Sequence, residues 1–191
     1  MNHSDHVHLL EGEAGLRERL GLPLRSIGGT WADLGAGSGA FTLALADLLG
    51  PGAPESPTRI TAVDRDRSAL SVLARDMQRA FPAVRLETRA ADFTQPLELA
   101  PLDGIVMANA LHFIPHGKQP ALLRQLRERL KPGGQFLMIE YNADQGNPWV
   151  PYPFSYSRWE ALARAAGYAQ TTKLAAHPSR FLGEIYAAVS V

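Results

Sequence analysis

A glycine-rich segment between a strand pattern and a helix pattern is the strongest constraint on the fold. Residues 33–39 read Asp-Leu-Gly-Ala-Gly-Ser-Gly, after a predicted strand at 30–34 and before a predicted helix at 40–49. Glycine lets a ligand approach the bare backbone, and the start of the helix aims free N–H groups at that ligand. We therefore expect a ligand-binding α/β protein organised around this turn.

The composition excludes several classes of function. With 19 basic and 19 acidic residues in 191, the net charge is zero, which predicts no general affinity for nucleic acid or an anionic membrane. Since cysteine is absent, disulfides, thiolate metal sites and a cysteine nucleophile are excluded. No apolar run approaches the ~20 residues of a membrane helix, and the polar start does not resemble a signal peptide. We expect one cytoplasmic domain with its own core.

Short apolar runs alternate with helical patterns along most of the chain. Runs such as 60–63 and 136–139 are typical of strands buried on both faces, and the alternation indicates a parallel sheet covered by helices. Near the end of the chain, the pattern predicts a hairpin of two strands, 168–174 and 181–191, joined by a turn that contains Pro178. The other predicted strands are 30–34, 59–63, 84–90, 104–109 and 135–141, and the predicted helices are 40–49, 68–81, 118–130 and 157–166.

The glycine pattern alone leaves the ligand open. Gly35, Gly37 and Ala40 satisfy the dinucleotide fingerprint, while Gly35, Gly37 and Gly39 fit a second pattern. The carboxylate of Asp33 would repel a pyrophosphate and attract a cationic amine or sulfonium. Asp33 therefore disfavours an NAD-dependent oxidoreductase, as does the lack of a Tyr-x-x-x-Lys pair.

Two further acidic residues end the next two predicted strands. Asp64 stands where a carboxylate can accept both hydroxyls of a ribose, a feature that fits NAD equally well. Asp92 can accept from the exocyclic amine of adenine, and Phe93 can pack on its ring. Singly, each acid is also typical of a solvated turn, but three at successive strand ends favour a cofactor site.

With these motifs the chain resembles class I S-adenosylmethionine-dependent methyltransferases, of the small type that includes the ubiquinone and menaquinone C-methyltransferases. The resemblance covers about 30–191 and rests on 33–39, Asp64, 92–93, 109–113 and 130–136. It implies a doubly wound α/β fold whose seven-stranded, mostly parallel sheet has the order 3-2-1-4-5-7-6, with strand 7 antiparallel and helices on both faces. Residues 30–191 would form this domain, and residues 1–29 an N-terminal helical cover.

The same resemblance implies a site for S-adenosyl-L-methionine. Asp33 and the glycines would hold the methionine end, Asp64 the ribose, and Asp92 with Phe93 the adenine, while Asn109 would line the floor. The residues expected at this site are Asp33, Gly35, Ala36, Gly37, Gly39, Asp64, Arg65, Ala91, Asp92, Phe93 and Asn109.

Methyl transfer from a sulfonium needs alignment and exclusion of water, and a base only when the acceptor is protonated and weakly acidic. His112, just past the fourth predicted strand, is the candidate base; alternatively it is a packing residue beside the cofactor. Glu140 and Tyr141 would orient a polar group of the acceptor, or simply end a strand.

The connection 142–156 is rich in aromatic residues and prolines, which give a stiff apolar surface. Trp149, Tyr152 and Phe154, together with His112, would wall a pocket for a small aromatic or otherwise apolar acceptor. The alternative is a hydrophobic plug over the sheet edge. The acceptor atom stays open, as does the choice between monomer and homodimer.

The N-terminal residues His3, His6 and His8 form a cluster for which we expect no metal, because a flexible terminus rarely preorganises a site. Instead, Asp5 and His6 would contact the cofactor as the segment closes over it, and the helix-like stretch 13–20 would complete the cover. A cofactor-binding protein without catalytic activity remains an alternative, since it would keep the same motifs.

Overall fold

A computed structural model describes residues 1–13, 16–22 and 27–191, and a seven-stranded sheet forms its centre. The strands are β1 Thr30–Leu34, β2 Gly52–Ala53, β3 Ser56–Pro57, β4 Arg59–Asp64, β5 Arg85–Ala90, β6 Leu102–Ala108, β7 Leu130–Tyr141, β8 Thr171–Ser179 and β9 Gly183–Ser190. The helices are α1 His3–Glu11, α2 Leu16–Arg19, α3 Ala40–Leu49, α4 Arg67–Ala80, α5 Gln119–Arg127 and α6 Tyr156–Ala166. A 3-10 turn, Leu111–Phe113, follows β6.

The sheet has the order β5-β4-β1-β6-β7-β9-β8, and β2 with β3 forms a separate small hairpin. Strands β5, β4, β1, β6 and β7 pair in parallel, whereas β9 pairs antiparallel with both β7 and β8. One face is covered by α1, α3 and α4, and the other by α5 and α6. The predicted fold class, strand order and antiparallel seventh strand are therefore confirmed.

The position of β1 at the centre of the sheet determines where a ligand can bind. Successive strands run outward from β1 in one direction through β4 and β5, and in the other through β6 and β7. The loops that leave β1 and β6 thus diverge to opposite faces and open a crevice at their carboxyl ends. Ligands of open α/β sheets bind in such a crevice.

The N-terminal segment folds as helix α1, held by local capping and by burial. The side chain of Asn2 accepts from the Asp5 N–H, and the Asp5 carboxylate accepts from the Asn2 N–H, which is a capping box. Leu9 and Leu10 are fully buried in the core beside α3. Because a nine-residue helix is marginal alone, this burial is what stabilises α1.

Several element boundaries differ from the prediction. Pro178 lies inside β8 and not in a turn, because β8 is the edge strand, where the missing N–H of proline breaks no ladder hydrogen bond. Helix α5 ends at Arg127, three residues before the predicted end, and β8 starts at Thr171, three residues after the predicted start. Of the predicted helix 13–20, the structure shows α2, while residues 14–15 lie outside the described ranges. Within those ranges, no helix has the length and apolarity needed to cross a membrane.

Candidate cofactor and acceptor site

The glycine-rich turn after β1 is packed too closely for side chains. A Cβ on Gly35, whose φ is +80°, would lie 2.5 Å from the Cβ of Ala110 in the segment after β6. A Cβ on Gly39 would lie 2.2 Å from Leu73 Cδ1 on α4. The predicted glycine turn thus serves close packing of β1 against its neighbours, and it leaves the backbone open at the crevice.

Asp33, near the end of β1, is a buried carboxylate with one oxygen unused. Its Oδ2 accepts from the Thr42 hydroxyl at 2.5 Å, and its buried Oδ1 has no hydrogen-bond partner within the described residues. Burial raises the pKa of Asp33 to about 7, with a smaller contribution from the charge of Asp64 and against the Thr42 hydrogen bond. A cationic donor placed against Oδ1 would satisfy the oxygen and favour the ionised form.

Asp64, at the end of β4, fixes the glycine turn from the other side. Its Oδ2 accepts from the Gly37 N–H at 2.8 Å, and its Oδ1 accepts from the Asp66 N–H at 2.9 Å. The side chain also lines a cavity at the crevice. Asp64 is therefore where the sequence predicts it, with its spare lone pairs available to further donors.

Asp92, after β5, accepts hydrogen bonds from two neighbouring residues of the protein. The Arg65 guanidinium bonds its Oδ2, and Thr94 donates to its Oδ1 from the backbone N–H at 2.9 Å and from the hydroxyl at 2.7 Å. Burial opposes ionisation, but these hydrogen bonds outweigh it, so the pKa of Asp92 lies below its ordinary value. An adenine amine would therefore share this carboxylate with Arg65.

The crevice contains a cavity of about 230 Å³, called here the first cavity. Most of its lining was predicted, but the apolar residues of the segment after β6 were not. The signal for them in the sequence is the run 110–114, in which apolar residues directly follow a strand end. The lining residues are Gly35, Asp64, Arg65, Phe93, Asn109, Ala110, Phe113 and Ile114.

The remaining predicted cofactor residues support this cavity without lining it. The N–H groups of Ala36 and Ala91 donate to carbonyls at the end of β4, at 3.1 and 2.9 Å, and so hold both loops to that strand. Six predicted residues are outside the lining: Asp33, Ala36, Gly37, Gly39, Ala91 and Asp92.

A second cavity, of about 530 Å³, opens on the β7 and β9 side of the crevice. Asn109 lines both cavities and has a φ of +50°, which is unusual for a residue other than glycine. Its buried Oδ1 lacks a hydrogen-bond partner in the described part of the chain. The lining residues are Met1, Asn109, Tyr141, His177, Pro178, Ser179, Arg180, Phe181 and Ile185.

His112 and Glu140, both predicted to be catalytic, form a buried pair. The His112 Nδ1 lies 2.9 Å from each carboxylate oxygen of Glu140, and Glu140 Oε1 also accepts from the Tyr141 N–H at 2.8 Å. Because both carboxylate oxygens of Glu140 lie at hydrogen-bond distance from Nδ1, this contact places a ring proton on Nδ1 and leaves Nε2 as the nitrogen that can accept. Burial, then the charge of Glu140, raises the pKa of Tyr141, so its phenol stays protonated at neutral pH.

The three aromatic residues predicted to wall the acceptor pocket are not brought together. Trp149 is 75% exposed, Tyr152 packs edge-on against His116, and Phe154 is fully buried near Trp159. None of the three lines the first or the second cavity. The position of Phe154 corresponds to the alternative of a hydrophobic plug.

The N-terminal histidines lie on helix α1 and line neither cavity. His3 lies 3.1 Å from an oxygen of Asp47, and the His6 ring packs on Phe41 with centroids 4.8 Å apart. Asp5 caps α1 and lies 3.9 Å from His177. Over the described ranges, no cluster of three His, Asp or Glu residues is arranged to hold a metal.

Comparison with known families identifies this arrangement. A family model described as a methyltransferase domain matches residues 32–136, which is more than half of the chain and includes the end of β1, the glycine turn and β6. The chain belongs to the methyltransferase-domain family.

This methyltransferase-domain protein is 29% identical over 139 residues to the carboxy-S-adenosyl-L-methionine synthase of Chromohalobacter salexigens. The match covers 71% of the chain and 48% of the synthase, so the chain spans about half the length of this curated relative.

Two solved structures share the fold at low sequence identity. The Burkholderia thailandensis 1,6-didemethyltoxoflavin-N1-methyltransferase, with its substrate and S-adenosylhomocysteine bound, is 21% identical and has a TM-score of 0.67. That match covers 98% of the methyltransferase-domain chain and 77% of the other. An O-methyltransferase family 2 protein of Planctomyces limnophilus, in complex with apigenin, is 20% identical and has a TM-score of 0.67. That match covers 99% of the methyltransferase-domain chain and 56% of the other.

Proposed function

We propose that the chain is an S-adenosylmethionine-dependent methyltransferase that acts on a small molecule. The observation that carries this proposal is the buried carboxylate of Asp33, whose Oδ1 is unpartnered beside an open glycine turn. Burying a carboxylate with an unused oxygen costs stability unless a cationic group compensates it. The ammonium of a methionine moiety has that charge, and membership of the methyltransferase-domain family supports the assignment.

The residues of the first cavity fit the remaining parts of this cofactor. Asp64 would accept from the ribose hydroxyls, and Phe93 would pack on the adenine ring. The buried Oδ1 of Asn109 would accept a donor at the boundary with the second cavity. When bound, the cofactor supplies an activated methyl group.

The acceptor would then occupy the second cavity, which meets the first at Asn109. Asp33, Asp64 and Phe93 would hold the cofactor, which would supply the methyl group to an acceptor lone pair and keep the electron pair of the broken carbon–sulfur bond on its sulfur. The protein aligns the two partners and excludes water. We propose that residues 1–29 act as a cover over the domain 30–191, with Met1 at the wall of the second cavity.

His112 is buried and lines neither cavity, but its ring lies 5.8 Å from that of Tyr141, which lines the second; we propose it as the base for an acceptor that carries a proton. Glu140 holds its Nδ1–H and so presents Nε2 as the accepting nitrogen. Tyr141, with its phenol protonated, would donate a hydrogen bond to the acceptor from the cavity wall. We further propose a cytoplasmic protein that acts as a monomer or homodimer.

Calorimetric titration tests the cofactor assignment, with S-adenosylmethionine as ligand and NAD as the competing candidate. We expect micromolar binding of S-adenosylmethionine, no heat with NAD, and weaker binding in Asp64→Ala. Asp76→Ala is the matched control, since Asp76 is an acidic residue on the exposed side of α4, paired with Arg79. Binding of NAD without binding of S-adenosylmethionine would overturn the proposal in favour of an oxidoreductase.

A second candidate function is an enzyme that modifies S-adenosylmethionine itself. It is favoured by the 29% identity to a carboxy-S-adenosyl-L-methionine synthase. Mass spectrometry of the reaction products separates the candidates. S-adenosylhomocysteine with a methylated acceptor indicates methyl transfer, a modified S-adenosylmethionine indicates the second function, and binding without turnover indicates a non-catalytic protein.

A further inference from the structure

The two cavities differ in the charged side chains on their walls. The first carries Asp64, together with Arg65, which is paired with Asp92, whereas none of the described residues that line the second cavity is acidic. Instead, the second cavity carries the guanidinium of Arg180, in the turn that joins β8 to β9. A cation next to a site for a cationic cofactor would be unfavourable unless an anion separates or neutralises them.

Among the described side chains that line the second cavity, the Arg180 guanidinium is free to bind such an anion. Its guanidinium lies over the ring of Phe181 at 5.1 Å, and within the described ranges it forms no ion pair with a carboxylate. His177, the other basic side chain on this cavity wall, already has partners within the protein. Its Nδ1 donates to the Pro178 carbonyl at 2.7 Å, and its Nε2 lies 3.9 Å from the Asp5 carboxylate.

The nearest acidic residue of the hairpin does not compete for Arg180. Glu184 accepts from Lys173 at 3.1 Å and from the Asn142 side chain at 2.8 Å. These hydrogen bonds, led by that from Asn142, hold its pKa below the ordinary value, so it remains ionised in its own network. The charge of Arg180 is therefore left for a ligand.

The shape of the second cavity defines the rest of the ligand. Tyr141 and Phe181 face it with ring planes at 83° and centroids 6.4 Å apart, and Ile185 adds an aliphatic wall. Aromatic rings in this arrangement favour edge and face contacts with a further ring. A volume of about 530 Å³ lies within the range of small-molecule sites.

We propose that the second cavity takes a planar aromatic acid, whose carboxylate binds Arg180 and whose ring packs against the edge-to-face pair of Tyr141 and Phe181. The methyl-accepting group then points toward Asn109 and the first cavity. This inference rests on the proposed function, since it names the acceptor class of that site. Arginine suits the role because its planar fork can bind a carboxylate with two parallel hydrogen bonds.

The test measures binding of matched acids and amides to the protein saturated with S-adenosylhomocysteine. The probes are benzoate, 4-hydroxybenzoate, salicylate and indole-3-carboxylate, each paired with its carboxamide, which has the same shape without the charge. We expect at least one acid to bind about tenfold more tightly than its amide, as a charge-assisted hydrogen bond provides. Arg180→Gln should abolish this preference, and Arg180→Lys should restore part of it.

Two further variants separate the charge from the ring. Phe181→Ala should weaken both an acid and its amide, and the acid more strongly, because the ring contacts both ligands and also lies under the Arg180 guanidinium. Phe181 is 53% exposed, so the fold tolerates the change. Arg79→Gln, an exposed arginine on α4, should change neither affinity.

The outcomes distinguish this inference from the proposed function. If S-adenosylhomocysteine binds but no acid is preferred over its amide, or no probe binds, the aromatic-acid assignment is wrong and the cofactor assignment stands. The same holds if the preference survives in Arg180→Gln. If S-adenosylhomocysteine does not bind, the proposed function itself fails.

Discussion

The imidazole Nδ1 of His112 lies 2.9 Å from both carboxylate oxygens of Glu140, a residue 28 positions further along the chain. The pair joins the 3-10 turn after β6 to the end of β7, and both side chains are buried. It therefore does two things at once: it ties two neighbouring strand ends together and fixes the proton of the imidazole on Nδ1. The first role affects stability, and the second would affect catalysis under the proposal that His112 is the base.

Substitution of His112 distinguishes these roles. If Nε2 is the base, His112→Gln should lower kcat by about a hundredfold or more while leaving the Kd for S-adenosylmethionine unchanged. The measurement is steady-state kinetics with a protonated acceptor, alongside calorimetry. His116→Gln is the control, since His116 lies nearby and bonds the Pro153 carbonyl. A loss of folding stability with normal kcat would assign His112 to packing.

Asp33 should make the stability of the free protein depend on pH. Its folded pKa of about 7 lies above the unfolded value, so its contribution to stability is complete below about pH 4 and is lost as pH rises through 7. Asp33→Asn should remove this dependence and stabilise the free protein at pH 8 by about 2–4 kcal/mol. Urea unfolding of both proteins from pH 4 to 8 measures the difference.

The same variant should bind the cofactor more weakly, because the amide lacks the charge that attracts an ammonium. The control is Asp76→Asn, an exposed acid that should change neither quantity. A variant that is both less stable at pH 8 and normal in cofactor binding would contradict the role assigned to the Asp33 carboxylate.

Two glycines of the same turn should differ in their tolerance of alanine. In Gly37→Ala the new Cβ has open space around it, so only the strain of the φ of +53° lowers the unfolding free energy, by about 1 kcal/mol. In Gly35→Ala the backbone strain is similar, and the new Cβ also lies 2.5 Å from the Ala110 Cβ. We therefore expect the unfolding free energy to fall by about 2–4 kcal/mol. Equilibrium urea unfolding compares them. Adding Ala110→Gly to Gly35→Ala should recover part of the loss, and no recovery would show that the contact is not the cause.

The aromatic connection 142–156 should separate into a structural and an exposed part. Phe154→Ala should cost about 3–5 kcal/mol of unfolding free energy, because the ring is fully buried near Trp159. Trp149→Ala, at a 75% exposed position, should cost less than about 0.5 kcal/mol. Thermal and urea unfolding measure both. A rise in acceptor KM for Trp149→Ala at unchanged stability would restore the predicted pocket wall.

The strands and helices were predictable wherever local pattern and tertiary environment agree. β4 and β6 are nearly continuous apolar runs, and they become central strands covered on both faces. The pattern around Pro178 misled because local preference favours a turn, whereas the edge position of β8 tolerates proline. Helix α1 was interpreted as a mobile segment, although Asn2 and Asp5 carry the spacing of a capping box.

The candidate site was predictable where it follows strand ends and not where distant segments meet. Asp33 and Asp64 could be assigned because they directly follow apolar runs that end at the same edge of a parallel sheet. The second cavity could not, since it combines Met1, Tyr141 and Arg180 from three separate parts of the chain. Only the packing of α1 and of the β8–β9 hairpin brings these residues together.

Asn109 has a consequence for the thermodynamics of ligand binding. One strained residue forms a wall of both cavities, and its unpartnered oxygen is shared between them. A ligand that contacts Asn109 from one side changes the wall that a ligand in the other cavity meets. The affinities for the two ligands are then linked, and by reciprocity each changes the other by the same factor. Under the proposed function, methyl donor and acceptor would report on each other's binding through this one side chain.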